Sequence, residues 1–521
     1  MSKSRSQPRR RRRTNFVQKP NGSLAPRVQA VGPERFGIVM VDVSKQRIQT
    51  QICDFYGNEI VPFTVYEQSR PGCEACLRSI RQVQAEARVL DLVVAIERTG
   101  EYHRPFQRAA QRAHYDVRIV HPLATHHFRT IAHPGNKTDP TDLGGIHRAT
   151  VNGFGLVERV LPPEYAQLQL LVRHRRDLVH KQTTLCCQIK EALHAIMPGY
   201  DQCFAAFWDS TIALAIARAT GSADAVLRRG VAGLAELVER GHQPRHQTTF
   251  HRIVQWAQTA PPGHAHSDIV RSVLDDLDND RLGKNRHIHQ LERIIARHLA
   301  GTAFVRLLVI PGINVVSAAD LAGELGPIAH YANANAITGR AGHFPARYQS
   351  DAVDRPDGAL IRTANRRLRA TLMQIADNLV TCNHYFRAKA STWRSAGKDP
   401  RWIRVKVAKI FTRIAYAILA GAGPFQHPCL QGDNYVLGKL NAFHLAHHTP
   451  VAEVLAGLHA TIEQLPAAQY AHEARPWQQQ YQRRQASRRN GPTPLSEILL
   501  EVLARLGTGT VESTHEGAGL G

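Results

Sequence analysis

Three short segments rich in β-branched and aromatic residues follow one another from residue 36, with only turns between them: FGIVMVDVS, RIQTQICD and EIVPFTVY. Each has the length and composition of a strand, and connections this short join antiparallel neighbours. The first contains an anomaly. Ile38, Val39, Met40 and Val41 run into Asp42, where the end of a buried strand should carry another apolar side chain. A carboxylate at such a place is costly unless it is paired or holds a metal.

Beyond this meander, the pattern predicts a helix across 72 to 88, a strand LDLVVAIER, a helix from Tyr102, a strand YDVRIVHP and a helix after Thr138. A three-stranded meander followed by alternating helices and strands is the order of an α/β, RNase H-like fold. Glu97 ends the strand VVAIE as Asp42 ends its own, and Asp139 and Asp142 of KTDPTD lie three apart at a helix start, on the same side. In a sheet of this order the ends of the first and fourth strands are neighbours, and a late helix packs against them. Taken singly, Asp42 reads as a turn cap and Asp139 and Asp142 as acids favoured by a helix dipole. Taken together, four converging acids repel one another unless cations sit among them. Mg²⁺ prefers such hard oxygen ligands, and two ions about 3.5–4 Å apart clamp both oxygens of a phosphoryl transfer.

The charge balance points the same way. Of 521 residues, 66 are Lys or Arg against 43 acids, a net charge of +23 with histidine neutral. Such an excess suits a polyanionic partner, nucleic acid first. Residues 1 to 35 hold ten basic residues and one acid among Pro, Gly and Ser, the composition of a disordered basic tail. No apolar run of about 18 residues marks a membrane span, and the N-terminus lacks the apolar stretch of a secretory signal. A cytoplasmic protein is expected, with its eight scattered cysteines reduced. Cys73-x-x-Cys76 has no second pair at zinc-ligand spacing, and no GxxxxGK[ST] loop is present to hold a nucleotide.

Residues 162 to 197 and 268 to 299 each carry an apolar stripe at helical spacing, the first through Leu168, Leu171, Leu178, Leu185, Ile189, Leu193 and Ile196, the second through Val270, Val273, Leu277, Ile288, Leu291, Ile295 and Leu299. They predict an antiparallel coiled-coil hairpin with 201–264 inserted at its tip. The domains expected are thus a tail (1–35), an α/β domain (36–155), the hairpin (156–300), a mainly helical module (301–430) and an extension of unassigned role (431–521). The module opens on LLVIPGINVVSAADLAGEL, whose Pro-Gly turn is similar to a helix-hairpin-helix that presents backbone N–H groups to phosphate. It ends on WIRVKVAKIFTRIAYAIL, where Ile403, Val407, Ile410, Ile414 and Ile418 line one face and Lys406, Lys409 and Arg413 exclude a membrane role.

VDVSK, IERTGEYHRP, VHP followed by NKTDPTD, then VIPGIN and AGHFPARYQS with IRTANRRLRATL occur in this order across residues 36 to 425. The set resembles the DEDD-type insertion-sequence transposases, the bridge-RNA-guided recombinases. The resemblance implies a RuvC-like domain whose Asp42, Glu97, Asp139 and Asp142 bind Mg²⁺, and a transposase domain with a nucleophilic serine that falls on Ser350. It implies donor and target DNA as substrates, a structured noncoding guide RNA as partner, and a homo-oligomer, dimer or tetramer. Ser350 is expected in a loop, with Arg340 and Arg347 before it and Arg362, Arg366, Arg367 and Arg369 after it, guanidiniums suited to phosphate. The family pattern has Gly after this Ser, whereas here Asp351 follows, an acid placed to repel the DNA backbone.

Two other readings use the same residues. A metal-dependent nuclease, such as a Holliday-junction resolvase, would attack with water and leave Ser350 incidental. A non-catalytic nucleic-acid scaffold would keep the fold but need no acids, and the retention of all four speaks against it.

Overall fold

The computed structural model describes residues 22–158, 160–238, 246–263, 267–351, 353–355, 358–421, 423 and 425–466. It divides into two compact units, Met1–Val160 and Leu161–Gly521. The tail proper, residues 1–21, and positions 467–521 of the C-terminal extension lie outside the described residues.

The first unit is built on a six-stranded sheet. Its strands are β1 (Phe36–Val43), β2 (Arg47–Cys53), β3 (Glu59–Glu67), β4 (Asp91–Glu97), β5 (Val117–Val120) and β6 (Gly155–Val157), in the order β3-β2-β1-β4-β5-β6. The meander and the alternating strands expected from the sequence are there, with β1 antiparallel to β2 and parallel to β4. Side chains alternate across a strand, so β1 feeds two cores. Val39, Val41 and Val43 join Ile80, Val94, Ile96 and Phe106 on one face. Ile38 and Met40 join Val93, Ala95, Leu143, Ile146 and Ala149 on the other.

Among the described residues, five helices clothe this sheet: α1 (Ala25–Val31), α2 (Arg70–Ala85), α3 (Arg104–Arg112), α4 (Pro122–Ala132) and α5 (Asp139–Val151). Helix α1 corrects the expected tail boundary of residue 35. Leu24 is wholly buried and Val28 nearly so, both in the second core. Arg27 donates to Asp91 at 2.8 Å and pairs with Asp116, so this segment is pinned to the sheet. Its few apolar side chains outweighed the basic composition.

In the second unit, α6 (Pro163–Ile196) and α10 (Ser267–Ala300) form the antiparallel hairpin. Arg175 Nε meets Glu292 at 2.6 Å and Gln182 meets Asn285 at 3.4 Å, so partners descend along one helix as they ascend the other. Val273, expected on the apolar stripe, is instead 47 % exposed. The segment inserted at the tip folds into α7 (Ala213–Thr220), α8 (Ala223–Val238) and α9 (Gln247–Thr259). They surround the buried Tyr200, whose hydroxyl donates to the Ala213 carbonyl at 2.9 Å.

The remaining module holds α11 (Val315–Leu325), α12 (Ala334–Arg340), a two-stranded ribbon of β7 (Tyr348–Ser350) and β8 (Val353–Arg355), α13 (Arg366–Cys382), α14 (His384–Ser395) and α15 (Pro400–Ala420). Its core runs past residue 430, the expected boundary. Helices α16 (Asp433–Ala446) and α17 (Val451–Gln464) bury Val436, Leu437, Leu440, Val454 and Leu458 in the same cluster.

The helix-hairpin-helix expectation also changes. The arm before the Pro311-Gly312 turn is a 3-10 helix, Ala303–Val309. Lys439 Nζ donates to the carbonyls of Leu308, Ile310 and Ile313 at 3.1, 3.0 and 2.7 Å, tying the turn inward.

Candidate active site

Strand register places the first two acids. Val41 lies opposite Ile96 in the parallel β1–β4 pair, so Asp42 and Glu97, each one residue further on, stand side by side; Glu97 ends β4, whereas β1 runs one residue past Asp42, to Val43. Alternation puts Asp42 on the face of Ile38 and Met40, and Glu97 on the face of Val93 and Ala95. That face is covered by α5, which packs through Leu143, Ile146 and Ala149. The start of α5 is fixed by a capping box: Thr141 N–H donates to the Thr138 hydroxyl, and Thr138 N–H donates back to Thr141 Oγ1 at 2.9 Å. Asp139 and Asp142 occupy its first turn.

The cluster is electrostatically strained. Burial pushes the Asp42 carboxyl above the ordinary aspartate range, and the charges of Asp142 and Asp139 push it further. Glu97 is raised likewise, by burial first, with Asp42 and Asp142 adding to it. Of the acids foreseen from the sequence, Asp142 thus acts on both Asp42 and Glu97, and Asp139 on Asp42. Exposed Lys137, just ahead of the cap, opposes both shifts.

Sequence reasoning missed the side chains that now hold these acids. Gln49 stands opposite Asp42 on β2, and its amide donates to Asp139. Arg129 on α4 forms an ion pair with Asp142, with side-chain exposures of only 11 % and 14 %. A signal for α4 was present, since His121 caps the helix and Pro122 occupies its first turn. Gly145 lets α4 and α5 approach so closely, since a Cβ there would stand 2.8 Å from the Thr125 carbonyl oxygen. Among the described residues, no group of three or more His, Cys, Asp or Glu side chains is gathered tightly enough to hold a metal as it stands. The donor set nevertheless suits a hard dication: four carboxylates, of which Asp42 and Glu97 are destabilised as anions by burial and then by neighbouring acids.

The second unit carries the candidate serine. Ser350 ends β7, exposed, and pairs with Val353 across the turn. It lies on a hairpin rather than in the loop expected. Asp351, the first turn residue, has φ +46°, the left-handed region where Gly is unstrained and Asp is tolerated. The departure from Gly thus has a backbone meaning as well as an electrostatic one.

The flanking arginines divide into three kinds. Arg347 is exposed but paired with Asp354, at 2.9 and 2.6 Å. Arg369 is spent inside the fold, donating to the carbonyls of Ala341, at 2.8 Å, Gly342 and Ile361. Arg340, Arg362, Arg366 and Arg367 are exposed, without a carboxylate partner among the described residues.

Acids side by side on adjacent parallel strands, faced by a helix start on a sheet of this order, are consistent with an RNase H-like domain of the DEDD class. A family model described as a transposase, of DEDD and IS110 type, matches residues 39–198. A second, described as the transposase IS116/IS110/IS902 family, matches residues 305–391. The two matches support an IS110-type transposase, and with it an enzyme that acts on DNA. No curated protein matches it. No described helix is long and apolar enough to cross a membrane.

Proposed function

We propose that the protein is a DNA recombinase guided by a structured RNA, with Ser350 as nucleophile and Mg²⁺ held by Asp42, Glu97, Asp139 and Asp142. The observation that carries the reading is the juxtaposition of Asp42 and Glu97 on one sheet face, with the first turn of α5 above them. Mg²⁺ bound there supplies charge neutralisation at a phosphate.

Ser350 Oγ attacks a backbone phosphorus, the P–O3′ bond breaks, and the hydroxyl proton ends on the departing 3′ oxygen. The products are a 5′-phosphoserine and a free 3′-hydroxyl. Attack by a 3′-hydroxyl of another strand restores the phosphodiester and releases the serine, so no nucleotide is consumed. The exposed guanidiniums of Arg340, Arg362, Arg366 and Arg367 are available to bind phosphates. The surplus of 66 basic over 43 acidic residues supports an RNA partner as well as DNA, and sequence choice then rests with base pairing. A dimer or tetramer would bring two serines to two strands.

The test is incubation with Mg²⁺, co-purified RNA and cognate DNA, followed by a denaturing gel. A DNA-bearing protein band that maps to Ser350 is expected, absent in Ser350→Ala and in EDTA. Cutting by Ser350→Ala at the wild-type rate would assign the chemistry to water and a nuclease.

A further inference from the structure

Helix α15 turns two different faces to its surroundings. Ile403, Val407, Phe411, Ile414 and Ile418 are buried in the module core. Trp402, Lys406, Lys409 and Arg413 follow a 4-3-4 spacing that aligns them on one side of the helix. The stripe spans about 16 Å at 1.5 Å per residue.

Trp402 is 43 % exposed, although a tryptophan gains much from burial. Its ring is held rather than loose. Trp393 meets it edge-on at 5.7 Å, and the Nζ atoms of Lys398 and Lys406 stand 5.9 and 5.7 Å from its centre. Asp399, three residues before Trp402, is occupied in capping the helix, accepting from the N–H groups of Arg401 and Trp402.

The cations of the stripe lack counterions among the described residues. Arg404, on another side of the helix, is paired with Asp377. Lys406, Lys409 and Arg413 form no ion pair with any described carboxylate, and Lys409 is made less basic by partial burial and then by Lys406 and Arg413 themselves. Buried His343 feels Lys409 and Arg369 as well. A row of like charges is unfavourable in the free protein, and a polyanion laid along it removes the cost.

We propose that Trp402, Lys406, Lys409 and Arg413 form a track for single-stranded nucleic acid, a base stacking on Trp402 while the adjoining phosphates lie along the three cations. A single strand is favoured over a duplex because stacking on an exposed indole needs an open base face. The strand is either a DNA strand freed during cutting or an unpaired stretch of RNA, which share this chemistry. The inference rests on the nucleic-acid reading above but not on the nucleophile or the metal.

The test is fluorescence anisotropy on the full-length protein, with labelled oligothymidine and oligouridine of about 20 nucleotides and a duplex of equal length. Trp402→Ala is expected to weaken single-strand binding about tenfold or more, with duplex affinity changed less than about twofold and Trp402→Phe largely restoring it. Combined Lys406→Ala, Lys409→Ala and Arg413→Ala should flatten the log K against log salt slope for single strands by about 2. Tighter oligouridine or tighter oligothymidine binding assigns the track to RNA or to DNA. Equal losses on duplex and single strand, or unchanged single-strand binding by Trp402→Ala, overturn the track and leave the recombinase reading standing. A wild-type protein that binds none of the three probes overturns both.

Discussion

The guanidinium of Arg129 lies on the carboxylate of Asp142, so an acid proposed to bind metal is neutralised from within the protein. The pair is shielded from water, and a buried charge that loses its partner is costly. A cation entering the acid cluster competes with Arg129 for the same oxygens.

Arg129→Ala should therefore destabilise the first unit by about 2–4 kcal/mol in EDTA. Mg²⁺ should recover a larger part of the melting temperature in the variant than in wild type. Thermal unfolding with and without the ion checks this, and equal Mg²⁺ increments in both proteins would refute competition for Asp142.

Gly145→Ala places a methyl 2.8 Å from the Thr125 carbonyl oxygen. Relief of that contact requires α4 to move away from α5, taking Arg129 with it. A loss of about 1–3 kcal/mol is expected, with reduced DNA cleavage. Gly144→Ala serves as the control, because a Cβ there meets only the far end of Arg148, at 3.3 Å.

Asp351→Gly should stabilise the ribbon by roughly 0.5–1 kcal/mol, because the position has positive φ. It also removes a negative charge beside Ser350, so cleavage should be at least as fast as in wild type. Slower cleavage by a protein of unchanged stability would show that the carboxylate itself assists the reaction.

Acid should destabilise the second unit through buried histidine. His343 is wholly buried, neither ring nitrogen has a partner among the described residues, and burial, then Arg369 and Lys409, lowers its pKa from 6.5 to about 4. Between those values the unfolded chain binds a proton that the folded chain refuses. Stability falls as pH drops from 6.5 to 4, by up to about 3 kcal/mol from this residue. In His343→Gln the pH dependence of denaturant midpoints should flatten over that window. An unchanged slope would assign the acid sensitivity elsewhere, His427 being the next candidate with a value also lowered to about 4.

Much of this architecture was readable from residue order. The three strands of the meander, the end of β4 at Glu97, and the long hairpin helices follow from period-two and helical patterns that tertiary packing reinforces, although β1 runs one residue past the expected end at Asp42. What escaped was set by contacts distant in sequence. Gln49 reads as an ordinary polar strand residue until β2 is laid beside β1 and its amide reaches Asp139, ninety positions on. Arg129 reads as surface charge until Gly145 brings two helices together. Arg369 looked like a phosphate ligand because composition does not reveal that its donors are used by Ala341, Gly342 and Ile361. Helix α1 was hidden beneath the charge of its neighbours.

The β7–β8 ribbon gives the serine a different kind of placement from that of the acids. Asp42 and Glu97 are locked by register, since a slip of one residue would turn either to the opposite face and ruin the core. Whenever the sheet folds, that pair is assembled. Ser350 instead sits on three-residue strands in a two-stranded ribbon, a construction only marginally stable in water without further packing. On the proposed reading, the placement of the nucleophile rests on this short pairing, which the register of the large sheet does not enforce. The acids are thus set by the folding of the sheet, and the serine by the ribbon's own pairing.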